Sequence, residues 1–282
     1  FLAFDGREKL SPFLEDLAIE FATQGPSYRD SAKRLEALLG YRALSHEAIR
    51  DRLIARAERD ETVLPEATRR SVRVLFVEVD GLYISLQRQR GMENRIAVIH
   101  EGWEQDGNRV RLKHKRHYLH TVAGDFWEGL GDFLVRHYDL DEHTWLVVNG
   151  DGAAWIGECK SYFHRCIYTL DRFHVARELR RYLGHLPETW QRVCRALATF
   201  DADTLLATVD SVPEAKIPEE HRNEWRKYVA FLWRHRAHLI DYRKVLREAG
   251  IDTTGMRPMG SAEAQMRVMA KRTKRGGYSW SV

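Results

Sequence analysis

The sequence predicts an α/β protein: a mixed-sheet core read in the order β-β-β-α-β-α-β, preceded by a small helical unit and followed by an all-helical block. Two observations carry that prediction. Apolar runs of strand length, rich in β-branched residues, fall between about residues 72 and 171, among them Val72 to Asp80, Arg95 to Trp103 and Trp145 to Val148. On either side of this region the apolar residues recur at helical spacing instead.

A chain of 282 residues with 44% hydrophobic residues buries a substantial core. No apolar run reaches the roughly 18 residues of a membrane span. The opening Phe1-Leu2-Ala3-Phe4-Asp5 lacks the pattern of a signal peptide, and the missing initiator Met suggests a trimmed chain. The three cysteines, Cys159, Cys166 and Cys194, form no CxxC pair. They point away from a disulfide framework or structural zinc and towards a reducing, cytoplasmic setting. The net charge of +4 is modest but unevenly distributed.

Ser11-Pro12 opens a first helix with Phe13, Leu14, Leu17, Ala18 and Phe21 on one face. Ser27 caps a second, which Gly40 closes, and Ser45 caps a third bearing Ala48, Ile49 and Leu53. The last two have the proportions of a helix-turn-helix whose second helix presents Arg50, Arg52 and Arg56 to DNA. A helical cap with a solvated charged face fits the spacing equally well.

The polar stretch from Glu61 to Arg70 marks a domain boundary. Three consecutive antiparallel strands are then expected: Val72 to Asp80, Leu82 to Leu86, and Arg95 to Trp103, with Asp80-Gly81 at the end of the first. Arg109, Arg111, Lys113, Lys115 and Arg116 form a basic run without acids, read either as a solvated loop or as a phosphate-contacting segment. Asp125 caps a helix carrying Phe126, Leu130, Phe133 and Leu134, and Trp145 to Val148 forms the strand leading to Asp151. Trp155 to Phe163 reads as a helix and Arg165 to Asp171 as a strand. From Val175 to about Ala249 the pattern is helical, with Trp190, Trp225 and Trp233 as apolar anchors. Gly260-Ser261 opens a last helix that carries Glu263 and runs through Lys274.

Asp80 and Asp151 both stand where an apolar strand gives out, and Glu263 stands in a first helical turn. Hard divalent ions serving phosphoryl transfer need oxygen ligands converging from separate elements, and these three carboxylates could provide them. Taken singly, Asp80-Gly81 also reads as a hairpin turn, Asn149-Gly150-Asp151-Gly152 as an ordinary turn, and Glu263 as a favourable acid at a helix start. On the last helix, Glu263, Arg267, Lys271 and Lys274 share one face, as a metal site beside a DNA backbone or a solvated ion-pair face would. No serine or cysteine triad, phosphate loop or GxGxxG offers different chemistry.

Asp151-Gly152-Ala153-Ala154-Trp155-Ile156, Leu170-Asp171-Arg172-Phe173-His174-Val175, and Gly260-Ser261-Ala262-Glu263 with Lys271-Arg272-Thr273-Lys274 together resemble bacterial insertion-sequence transposases of the ISLre type. These are similar in plan to Mutator-like DDE transposases. The resemblance implies a helix-turn-helix domain over 1–68, a ribonuclease H-like core over 69–174, a helical insertion over 175–250 and a return to the core over 251–282. It further implies two Mg²⁺ (or Mn²⁺) ions held by Asp80, Asp151 and Glu263, with Asp171 and His174 organising the site or nearby DNA, although a helix cap with a packed histidine fits those two residues as well. Its partners would be element ends and target DNA in a bacterial, nucleoid-associated setting, bound by a dimer or higher oligomer. The glycines beside Asp151 would leave room for a scissile phosphate. An inactive DNA-binding descendant and a host nuclease on the same core are the alternative readings.

Overall fold

The computed structural model describes residues 10–62, 69–88, 90–120, 124–265 and 270, with 58–62 described by backbone alone. The chain divides into two compact units, 1–68 and 69–282.

In the first unit, helices α1 (Pro12–Gln24), α2 (Tyr28–Leu39) and α3 (His46–Thr62) enclose Ala18, Ala22, Leu35 and Ile49. Local chemistry sets the helix ends. Ser11, Ser27 and Ser45 each accept a backbone N–H three residues on, and Gly40 takes the left-handed conformation at φ 77°. All three arginines expected to face DNA pair with acids of the same unit. Arg52 pairs with Glu15 at 3.5 Å and Arg56 with Asp16 at 3.1 Å, both across to α1, while Arg50 pairs with its exposed neighbour Asp51.

The second unit is a mixed α/β structure. Its strands are β1 (Arg70–Ser71), β2 (Val74–Ile84), β3 (Met92–His100), β4 (Trp103–Asp106), β5 (Arg109–Leu112), β6 (Arg116–His120), β7 (Tyr138–Asp139), β8 (Trp145–Gly150) and β9 (Cys166–Leu170). Five of them form one sheet in the order β6-β3-β2-β8-β9. β3 runs antiparallel to β2 and β6, whereas β8 lies parallel to both β2 and β9. β1 pairs with β7, and β4 with β5 in a hairpin.

The strand expectations need correction at two places. Asp80-Gly81 is no turn: β2 runs through it to Ile84, pairing Asp80 with Ile96 and Leu82 with Asn94. Burial of Leu82 against Ile96 accounts for the continuation. The expected third strand stops at His100, because Gly102 takes φ 111° and turns the chain into the β4–β5 hairpin. The basic run is thus neither loop nor uniform surface, but hairpin, turn and the sheet-edge strand β6.

Alternation on β2 sends Leu75, Val77 and Val79 into one core, covered by α4 (Phe126–His137) through Phe126, Trp127, Leu130 and Leu134. Val74 and Phe76 face the other side, against Tyr242 and Leu246 of α11 (Tyr242–Glu248). The expected single helix after Asp151 is two four-residue turns, α5 (Ala154–Gly157) and α6 (Cys159–Tyr162). Helices α7 (Arg172–Leu183), α8 (Pro187–Thr199), α9 (Ala202–Asp210) and α10 (Arg222–Arg234) pack around their own core, which includes Leu179, Val193, Leu206 and Trp225. Trp233 is no apolar anchor; it is exposed and donates its indole N–H to Asp210. No helix among the described residues is long and apolar enough to cross a membrane.

Candidate metal centre

The sheet builds the site through its register. Glu78 on β2 stands opposite Asn149 on β8, which stands opposite Thr169 on β9. With a side-chain period of two, the next residues on that face are Asp80, Asp151 and Asp171. The sheet therefore delivers a row of carboxylates, Asp80 within β2 just past its parallel pairing with β8, and Asp151 and Asp171 just past the carboxyl ends of β8 and β9, where open α/β sheets place ligand sites.

The helical turn at 262–265 supplies Glu263. Among the described residues, Asp80, His174 and Glu263 form a group whose ligand atoms all lie within 4.8 Å of one another. His174 Nε2 is 3.8 Å from Glu263 Oε2, and Arg177 Nη1 is 4.0 Å from the same oxygen. His174 Nδ1 is buried without a hydrogen-bond partner, with Asp171 Oδ2 at 3.7 Å. Asp171 is itself buried and accepts the Phe173 N–H at the start of α7.

Electrostatics mark the same place. Burial pushes the Asp80 carboxyl up; His174 opposes that shift, and the charges of Asp151 and Glu263 add to it. Burial likewise raises Asp171, against the pull of His174. Two carboxylates and an imidazole, its Nε2 turned to Glu263, are a donor set suited to a divalent ion, and the imidazole favours Mn²⁺ or a softer ion over Mg²⁺.

Asp151 is near enough for its charge to act on Asp80, yet its carboxylate is outside the close group. It is exposed and accepts the Ala153 N–H at 3.0 Å, an Asx turn. The glycines beside it do not leave an open space. A side chain at Gly150 would meet Ile156, and one at Gly152 would meet the Phe231 ring of α10. A shallow pocket of about 390 Å³ does open beside Asp151 and His174, with Tyr182, Tyr228 and Phe231 on its wall.

The basic candidates divide. Arg109 and Lys113 are exposed; Arg111 is exposed and pairs with Asp106 at 2.6 Å. Lys115 donates to Gln265 at 2.9 Å, on the turn that carries Glu263. Arg116 is half-buried with its Nε shielded from solvent, close enough to Tyr138 and His137 for its charge to act on both. A groove of about 870 Å³ runs past Trp103, Arg111, Lys115, Arg172, Arg257 and Gln265. Arg267, Lys271 and Lys274 lie outside the described residues.

Glu78 is the residue that sequence reasoning missed. It is wholly buried, and its carboxylate accepts the N–H groups of Gly260, Ser261 and Ala262. His100 Nε2 stands 3.4 Å away on the neighbouring strand. Burial disfavours the ionised form, but His100, Ser261 and Ala262 outweigh it and hold the carboxyl below its ordinary value. The available signal was an acid in the middle of the apolar run Val77-Glu78-Val79.

Fold and site together define a mixed α/β protein with a carboxylate and imidazole cluster where the central strand meets two helical segments. The chain belongs to UPF0236, an uncharacterised protein family, whose model matches residues 1–282. A UPF0236 protein in the vanSb 3' region of Streptococcus gallolyticus is 27% identical over 99% of this chain and 62% of its own length. A UPF0236 protein of Caldanaerobacter subterraneus subsp. tengcongensis, whose name joins eleven designations, is 24% identical over 58% of this chain and 36% of its own. The chain thus spans less than two thirds of these relatives. Among solved structures, the Drosophila P element transposase strand transfer complex matches with a TM-score of 0.35 at 9% identity, over 94% of this chain and 65% of that one.

Proposed function

We propose that this chain is the catalytic part of a DDE transposase of the ISLre type. The observation that carries the reading is the convergence of Asp80 and Glu263, 183 positions apart in the chain, within 4.8 Å. The sheet supports a ribonuclease H-like core: an antiparallel β6-β3-β2 trio extended by parallel β8 and β9. The three helices of 1–68 support a DNA-reading helix-turn-helix, and α7 to α10 support an insertion between Asp151 and Glu263. A protein whose name joins eleven designations in one organism fits an element that copies itself.

In this reading Asp80, Asp151 and Glu263 hold two Mg²⁺ or Mn²⁺ ions. Such ions, when bound, acidify the attacking water or 3′-hydroxyl and stabilise the leaving oxygen. Asp80 and Glu263 would supply ligands from strand and helical turn, and Asp151 a further one from the exposed turn after β8. Asp171 orients His174, and Lys113, Lys115, Arg109 and Arg111 contact the DNA backbone. A dimer or higher assembly would bring two element ends together.

The test uses the full-length protein in cells carrying a donor plasmid flanked by the DNA that borders its own gene. Asp80→Ala, Asp151→Ala and Glu263→Ala are each expected to abolish end cleavage and joining while end binding persists. Joining by the Asp151→Ala protein would overturn the assignment. The presence of His174 in the close group favours one second reading, a nuclease that hydrolyses DNA without joining it. Cleaved ends that never become joined to target DNA would select it.

A further inference from the structure

We propose that Glu78 is a positioning residue: its buried carboxylate clamps the backbone at 260–262 and thereby sets Glu263 beside Asp80. The inference rests on the reading of Asp80 and Glu263 as ligands of a divalent ion.

Glu78 lies on the central strand β2, two residues before Asp80 and on the same face. It receives the N–H of Gly260 at 2.9 Å, of Ser261 at 2.6 Å and of Ala262 at 3.0 Å, while the Ser261 hydroxyl donates to its other oxygen at 2.5 Å. An ordinary helix cap is a neighbouring Ser, Thr, Asp or Asn that accepts one or two amides. Here Ser261, the local residue of that type, gives its own proton to a carboxylate 183 positions earlier. Gly260 takes φ 137°, a conformation that L side chains rarely adopt, and its amide is one of those that reach Glu78.

A buried charge is an expensive way to hold two segments together, since an apolar residue beside Phe76 and Tyr242 would also fill space. What the carboxylate adds is direction. Three consecutive amides aimed at one group fix the orientation of the peptide planes, and Glu263 follows the last of them immediately. The Glu263 carboxylate itself has looser contacts, 3.8 Å to His174 and 4.0 Å to a largely exposed Arg177, and its turn is otherwise tied by Lys115 and His117 to the exposed side chain of Gln265. The clamp and the ligand Asp80 share a strand, so the position of Glu263 is referred directly to its partner.

The experiment compares Mn²⁺ titrations, read by electron paramagnetic resonance, with hydrogen exchange of the 260–262 amides. The variants are Glu78→Gln, Ser261→Ala, Asp80→Asn and a control, Val74→Ala, that loosens the same core away from the site. Glu78→Gln is expected to weaken Mn²⁺ binding by about tenfold or more, as loss of a group that orients a metal ligand does, and to speed exchange at 260–262. Ser261→Ala should give a smaller loss in the same direction. Val74→Ala should lower the melting temperature yet leave Mn²⁺ affinity unchanged, separating orientation from stability. Wild-type affinity in Glu78→Gln, or exchange no faster than wild type, would overturn the proposal. If the wild-type chain took up no Mn²⁺, the metal reading would fall. Amide exchange would then decide the clamp alone, faster exchange in Glu78→Gln upholding it and unchanged exchange ending it.

Discussion

The Phe231 ring lies against the α-carbon of Gly152, where an added Cβ would come within 2.7 Å of its Cε2. Gly152 also takes φ 97°, so both backbone and neighbour require glycine there. The contact joins the turn of Asp151 to α10, in the helical block. Gly152→Ala is therefore expected to destabilise the chain by about 1–3 kcal/mol, the usual cost of overpacking a fitted contact. Urea unfolding measures the loss. Adding Phe231→Ala to Gly152→Ala should cost less than the two changes summed, and an unchanged midpoint in Gly152→Ala would contradict this account.

Asp80 gives a prediction with a defined sign. Its folded pKa is raised, first by burial and further by Asp151 and Glu263. Such a group contributes stability that is complete below its unfolded pKa of about 3.9 and lost as pH rises through the folded value. At neutral pH its ionised form therefore opposes folding in metal-free protein. Asp80→Asn should melt higher than wild type at pH 7, and the gap should narrow in acid. Mn²⁺ should reverse the order by stabilising wild type alone. Thermal melts with chelator and with Mn²⁺ check both parts; a lower-melting Asp80→Asn in chelator would refute the first.

How much of this was legible in the sequence depends on the range of the interactions involved. Helix caps at Ser11, Ser27, Ser45 and Asp125 were readable, because each bonds within three residues. The α/β class and the helical block followed from periodicity. Asp80-Gly81 was misread as a strand end, since its local composition favours a turn while burial of Leu82 against Ile96 decides otherwise. The Glu78 clamp spans 182 to 184 positions and leaves no periodic trace, apart from an acid out of place in an apolar strand. His174 was found through a motif, but its place between Asp171 and Glu263 depends on tertiary contact.

The basic segment should behave unevenly rather than as one patch. Arg109 and Lys113 are exposed on and just after β5, whereas Arg116 is half-buried on β6 beside Tyr138. If Arg109 and Lys113 contact phosphates, Arg109→Ala and Lys113→Ala should each reduce the slope of log affinity against log salt by about 1. Arg116→Ala should instead lower the melting temperature with little change in slope. Fluorescence anisotropy on a DNA duplex over a salt series separates the two behaviours, and an equal slope change at Arg116 would refute its placement as structural.

His174 and Asp171 can be separated by choosing replacements that keep one role and remove the other. Asp171 accepts the Phe173 N–H at 2.7 Å as the cap of α7, and its second oxygen lies 3.7 Å from His174 Nδ1. Asn is as good a cap as Asp, so Asp171→Asn should keep α7 intact while withdrawing the negative charge beside the imidazole. A carboxylate behind a ligating imidazole raises its basicity and fixes its orientation, and losing one typically weakens metal binding by about 10–100-fold. Asp171→Asn is accordingly expected to weaken Mn²⁺ binding with no loss of stability, and in chelator to melt somewhat higher at pH 7 because burial raises this carboxyl too, whereas Asp171→Ala should weaken binding and also lose about 1 kcal/mol of stability with the cap. His174→Gln should bind Mn²⁺ at least as poorly as Asp171→Asn, because it removes the ligand rather than its support. Mn²⁺ titration beside urea unfolding gives both readings. Undiminished binding by His174→Gln would return His174 to the role of a packed side chain at a helix start, leaving Asp80 and Glu263 to hold the ion with Asp151.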